Sequence, residues 1–99
     1  MELNNNFILN KNDIEKLNFD KLNGLIPSII VDVNTEQVLM LGFMNRESLQ
    51  KTIETNLITF FSRTRNSLWT KGETSGNYLH LKKILADCDN DSLLIYANP

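Results

Sequence analysis

The sequence has a single cysteine, Cys88, so no disulfide can form within one copy of the chain, and a reducing compartment suits it. No apolar run approaches the roughly 20 residues needed to cross a bilayer. The opening Met1-Glu2-Leu3-Asn4-Asn5-Asn6 lacks the basic-then-apolar order of a secretory signal, so the expected compartment is the cytoplasm. Positive charge is not in excess: 10 Lys and Arg stand against 12 Asp and Glu, for a formal net charge of −2. That argues against broad nucleic-acid binding, which needs a basic face, but leaves room for a small anion held by a local basic cluster. Internal repeats and interdomain linkers are also missing.

What remains is one domain's worth of chain. Its 99 residues, 41% hydrophobic and 22% charged, are the composition of an ordinary folded domain with one modest core. The first dozen residues are Asn-rich and weakly patterned. Asp13 is placed to cap a short helix carrying Ile14 and Leu17 on one face and ending near Asn23-Gly24. The β-branched run Leu25 to Asp32 predicts a strand with Pro27 near its start, and Asn34 to Gln37 a turn. Val38 to Met44 then completes a hairpin. Asn45 suits a helix N-cap, Leu49 and Ile53 share a helical face, and Asn56 suits the helix end. Leu57 to Ser62, Tyr78 to Ala86 and Leu93 to Ala97 read as further strands, with a polar stretch from Arg63 to Asn77 between the first two. About five strands with one or two helices make an α+β, β-rich single domain.

The sharpest chemical feature is Asp87-Cys88-Asp89-Asn90-Asp91. Carboxylates at every second position lie on one side of an extended chain, and a turn draws them closer. Like charges held together repel, so such a group is comfortable with a cation, and oxygen donors suit magnesium or calcium. An EF-hand is excluded: counted from Asp87, the positions that need Gly and Glu hold Ser92 and Asn98. The competing reading is a solvated Asp/Asn turn between two strands. Alternation aims Cys88 away from the carboxylates, toward a separate soft metal such as zinc. Zinc needs three or four protein ligands, and His80 is the one other soft donor, so a closed zinc site within this chain is not expected.

The second feature is the polar stretch Ser62 to Gly76, which combines Arg63, Arg65 and Lys71 with hydroxyls, including Thr74 and Ser75, and two glycines. Backbone N–H groups exposed at glycines, with Arg and Lys beside them, make good phosphate contacts. The order of a P-loop is absent. Trp69 is suited either to stacking on a base or to anchoring the loop in the core.

At these two places the chain resembles the phosphoribosyl-AMP cyclohydrolases. The likeness runs through Gly24-Leu25-Ile26-Pro27 with Asp32, Val38 to Asn45, Phe61-Ser62-Arg63-Thr64-Arg65, Leu68 to Asn77, and Asp87 to Leu94. It covers roughly residues 20 to 97, so residues 20–99 are expected to form a cyclohydrolase-like domain and 1–19 an extension or short helix. The resemblance implies hydrolysis of the adenine ring of phosphoribosyl-AMP between N1 and C6, in a homodimer that uses zinc and magnesium. Asp87, Asp89 and Asp91 would hold magnesium, and Cys88 would be one zinc ligand of a site shared across the dimer. Arg63, Arg65, Lys71, Thr74 and Ser75 would contact phosphate, with Trp69 beside the base or in the core. His80 is the candidate for activating water if the zinc assignment fails. The family's other two zinc cysteines belong to a Cys-His-x-Gly segment and a cysteine after it, about where this sequence reaches Ala97-Asn98-Pro99. The expectation is therefore a truncated domain, inactive by itself, from a cyclohydrolase or from a fusion with a phosphoribosyl-ATP pyrophosphohydrolase. The alternative is a dimeric module that binds nucleotide or anion without catalysis.

Overall fold

A computed structural model describes residues 3–8 and 10–99, with side chains from residue 10 onward. The strands are β1 (Leu3–Ile8), β2 (Ile26–Asp32), β3 (Val38–Met44), β4 (Thr59–Ser62), β5 (Ser67–Thr70), β6 (His80–Asp87) and β7 (Leu93–Asn98). The helix α1 spans Arg46–Thr55, and a short 3-10 helix spans Lys11–Lys16. Five strands form one sheet in the order β1-β6-β7-β2-β3, and β4 pairs with β5 in a separate hairpin. The domain is α+β and β-rich, as the residue pattern predicts.

Each predicted strand is present, and two more are added. β5 lies inside the stretch that reads as a polar interruption, where Phe60 and Phe61 pair with Trp69 and Leu68 across the hairpin. β1 lies in the Asn-rich opening and pairs with β6. The first helix is shorter than expected. Its N-cap is Asn10 rather than Asp13, whose carboxylate instead accepts the Asn10 N–H in a capping box. The helix stops at Lys16, and Leu17 follows in extended conformation. Ile14 and Leu17 are both buried, as their spacing suggests.

Period-two alternation sorts the main sheet. Ile26, Ser28 and Ile30 of β2 and Leu93, Ile95 and Ala97 of β7 all point inward. These two strands run parallel, Ser28 beside Leu93 through Asp32 beside Ala97, while the other pairs are antiparallel. The Asn45 side chain accepts from Ser48 N–H at 2.8 Å, and the Ser48 hydroxyl returns the contact to Asn45 N–H at 2.9 Å. Asn56 ends α1 at φ 63°, a left-handed conformation that Asn tolerates. Leu49 is fully buried and Ile53 packs against the core. The buried Thr52 hydroxyl donates to Ser48 C=O at 2.9 Å and accepts from Thr59 N–H at 2.9 Å, which pins the β4–β5 hairpin to α1. Gly42 lets β3 approach that hairpin, because a Cβ there would stand 2.5 Å from the Phe60 ring.

Candidate functional site

The carboxylates lie in the tight turn that joins β6 to β7. Asp87, the last residue of β6, is buried at 9% exposure. Its Oδ1 accepts from the N–H groups of Asp91 at 3.0 Å and Ser92 at 3.3 Å. The backbone closes the turn through Asp87 N–H to Ser92 C=O and Asn90 N–H to Asp87 C=O, both 3.1 Å, with Asn90 at φ 58°. Burial pushes the Asp87 carboxyl above its ordinary value, and the adjacent Asp91 carboxyl pushes it the same way. The Lys21 ammonium holds Asp91 below its ordinary value, and the hydrogen bond with Asp87 adds to that.

The convergence read from the sequence is partial. Asp87 and Asp91 meet, whereas Asp89 and Cys88 are exposed. Among the described residues no three of His, Cys, Asp and Glu are drawn together as a metal-holding group. The cation at the turn is Lys21, which forms an ion pair with Asp91. Asp91, then Asp89 and Asp87, raise the Lys21 ammonium above its ordinary value. Lys21 was not legible from the sequence as a partner of the turn, because it lies 70 positions from Asp91.

The polar stretch forms a separate site. After β5, the loop is held by Lys71 N–H to Ile58 C=O at 3.0 Å and by Gly76 N–H to Gly72 C=O at 2.7 Å. Gly72 has φ 95°, and a Cβ there would meet the Asn77 backbone at 2.5 Å, so only glycine fits the return of the loop. A cleft of about 240 Å³ is lined by Arg65, Trp69, Lys71, Thr74 and Ser75 together with the carboxylate of Glu73. Five of the six residues expected to hold substrate thus share one cleft. The sixth, Arg63, lies apart, with its guanidinium 4.4 Å above the Phe43 ring. Trp69 packs on Phe60 with ring centroids 5.3 Å apart, as the core reading expects, and it also lines the cleft.

His80 opens β6 and lines a neighbouring cleft of about 550 Å³, with Lys71, Leu39, Met40, Tyr78 and Pro99 among its walls. Seven steps of strand separate His80 from Asp87, roughly 23 Å at about 3.3 Å each. His80 and Cys88 are therefore at opposite ends of one strand and cannot share a metal ion within one copy of the chain. The cleft residues sit at the His80 end, since Lys71 borders both clefts.

Comparison with known proteins identifies the family. The family model for phosphoribosyl-AMP cyclohydrolase matches residues 40–99. The chain is similar to the histidine biosynthesis bifunctional protein HisIE of Bacteroides thetaiotaomicron, 66% identical over 84 residues, which are 85% of this chain and 41% of that protein. It is 56% identical over 85 residues to the protein of that name from Vibrio parahaemolyticus, covering 86% of this chain and 40% of the relative. For the Shigella sonnei protein the identity is 52% over 92 residues, 93% of this chain and 45% of the relative. The chain thus spans less than half the length of these curated relatives. With the family model covering more than half of its residues, both the acidic turn and the cationic loop included, this chain belongs to the phosphoribosyl-AMP cyclohydrolase family.

Proposed function

We propose that this domain serves histidine biosynthesis by hydrolysing the adenine ring of phosphoribosyl-AMP. Water adds to C6, the N1–C6 bond breaks, and N1 takes a proton, which leaves an imidazole-carboxamide. The observation that carries this reading is the cleft in which Arg65 and Lys71, the Thr74 and Ser75 hydroxyls and the face of Trp69 are gathered by one loop. Cations and hydroxyls suit a phosphate, and the indole suits a purine. Arg63, held over the Phe43 ring, is the weaker of the two arginines as a phosphate contact. His80, in the adjoining cleft beside Lys71, is the candidate for moving a proton.

Magnesium fits the acidic turn in donor chemistry. Two carboxylates meet there, a third is one step away, and a lysine ammonium already stands against them as a cation. Asp87, Asp89 and Asp91 would hold it, and it would supply charge for a phosphate. Zinc does not fit the described residues alone, which offer one thiol, Cys88, with His80 at the far end of the strand. Bound by Cys88 and donors from outside these residues, zinc would supply an acidified water.

The separation of the acidic turn from the cationic cleft supports a homodimer, in which a turn from one copy serves a cleft of the other. The apolar edge strand β3, with Val38 62% and Leu41 60% exposed, is a surface for such pairing. The cytoplasm remains the proposed compartment; among the described residues no helix is long and apolar enough to cross a membrane. Among the described residues no three metal donors are gathered, which favours a second reading, a binding module without turnover. The test is to load the 99-residue chain with zinc and magnesium, titrate phosphoribosyl-AMP, and follow both binding heat and product absorbance. We expect binding with negligible turnover. A longer version that supplies the remaining donors should be active. Binding by both with turnover by neither would favour the binding module, and absence of binding would overturn the assignment of the cleft.

A further inference from the structure

We propose that Lys21 is a built-in counter-cation of the acidic turn, holding Asp91 where a divalent cation would hold it, so that magnesium binds only by displacing the lysine. This rests on the reading of Asp87, Asp89 and Asp91 as the magnesium ligands. Three observations lead to it. The segment carrying Lys21 is docked on the turn, because Asn18 N–H donates to Asn90 C=O at 2.7 Å. The ammonium therefore stays beside the carboxylates without having to be recruited. The turn is also preformed: Asp91 N–H and Ser92 N–H are both directed at Asp87 Oδ1, which leaves the Asp91 side chain facing Lys21. Finally, the ion pair is asymmetric. The Asp91 side chain is 11% exposed and that of Lys21 is 62% exposed. The carboxylate is thus fixed by its surroundings, while the lysine can swing its ammonium into water on a flexible stem.

The consequence is competition. A metal ion approaching Asp91 meets a positive charge already in place, and its apparent affinity falls by the fraction of molecules in which the lysine is bound. The lysine also relieves repulsion among the carboxylates when no metal is present, so the turn keeps its shape in the metal-free protein. Asp89, exposed in this state, is the ligand free to close over the ion once Lys21 has left.

The test is a magnesium chloride titration by calorimetry at low ionic strength on the wild-type chain, K21Q, K21R and D91N. A chelator-treated thermal melt of each serves as a second readout. Lys21 is exposed, so K21Q should fold. We expect K21Q to bind magnesium roughly three- to tenfold more tightly than wild type. K21R should bind like wild type and D91N more weakly. In chelator K21Q should melt below wild type, and added magnesium should raise its midpoint further than it raises that of wild type. If D91N weakens binding while K21Q binds no more tightly than wild type, Lys21 is not the competitor, although the turn remains a metal site. If neither wild type nor K21Q takes up magnesium, the metal reading of the turn fails and the counter-cation role fails with it.

Discussion

The acidic turn and the cationic loop are built in opposite ways. The turn is closed on itself: Asp87 is buried, its carboxylate organises two backbone N–H groups, and its cation comes from the segment docked beside it. The loop is tied by backbone hydrogen bonds, such as Lys71 to Ile58 and Gly76 to Gly72, but leaves Glu73, Thr74, Ser75 and Gly76 exposed. A preorganised turn suits a small, hard ligand whose donors must be in place beforehand. An anchored loop with exposed donors suits a larger anion that completes its own contacts.

The largest expected effect falls on the seam between the two sheets. Phe60 is 1% exposed, packs on Trp69, and fills the space that Gly42 leaves open. Phe60→Ala should cost about 3–5 kcal/mol in chemical denaturation. It should also loosen the hairpin, so that nucleotide binding suffers while magnesium binding at the turn persists in whatever protein remains folded. Equal loss at both sites would dissolve the comparison.

Next comes the cleft. Lys71 is shared by both clefts and has its backbone anchored to Ile58, so its ammonium is well placed for a phosphate. Lys71→Ala should weaken phosphoribosyl-AMP binding roughly tenfold, the scale of a charge-assisted hydrogen bond. Asp89→Asn should leave that affinity unchanged in the absence of metal. Calorimetry on both variants decides the matter, and a loss from Asp89→Asn would mean that the two sites are coupled within one chain.

The turn itself should have a pH signature. Asp91 lies below its ordinary value of 3.8 because of Lys21, so the stability it contributes is complete above that value. It is lost as pH falls through the depressed one. Asp87 is displaced the other way, mainly by burial. Its contribution grows as pH falls through the raised value. Asp87→Asn imitates the protonated form, so its melting temperature should match or exceed wild type near neutral pH. That advantage should shrink on acidification toward the ordinary carboxylate range. A constant difference across this window would show that Asp87 does not titrate as described.

The smallest effect separates the two arginines. Arg63 is stacked on Phe43, a contact worth about 0.5–1 kcal/mol at an exposed site, whereas Arg65 lines the cleft. Arg63→Ala should therefore lower stability slightly and weaken nucleotide binding less than Arg65→Ala. The reverse order would mean that Arg63 leaves its ring to meet the ligand.

Strands with several β-branched or large apolar residues were legible, as were the N-cap at Asn45 and the helix end at Asn56, because each is encoded locally. β5 was not. Its four residues, Ser-Leu-Trp-Thr, are too few to show a period, and their pairing is set by a hairpin turn with Asn66 at φ 50°. β1 was hidden in Asn-rich sequence because its pairing comes from distant β6, with Leu3 beside Asp87 and Ile8 beside Leu85. The cleft residues were legible as a set because they are close in sequence, which holds them close in space. The exception, Arg63, went to a ring on β3 that no local pattern announces.

The sequence by itself determined which residue types carry chemistry and where they cluster: carboxylates spaced by two, one thiol, and one run of cations, hydroxyls and glycines. It also determined the family, since the motifs that identify it are contiguous. Only the tertiary structure decided that the acidic turn and the cationic cleft lie at opposite ends of β6, that His80 and Cys88 of one copy are too far apart to share a metal, and that Lys21 stands against Asp91. The physical reason is that strand direction and sheet order convert short sequence separations into long distances and distant ones into contact. Eight residues along one strand carry His80 away from Cys88, while the return of the chain brings position 21 against position 91.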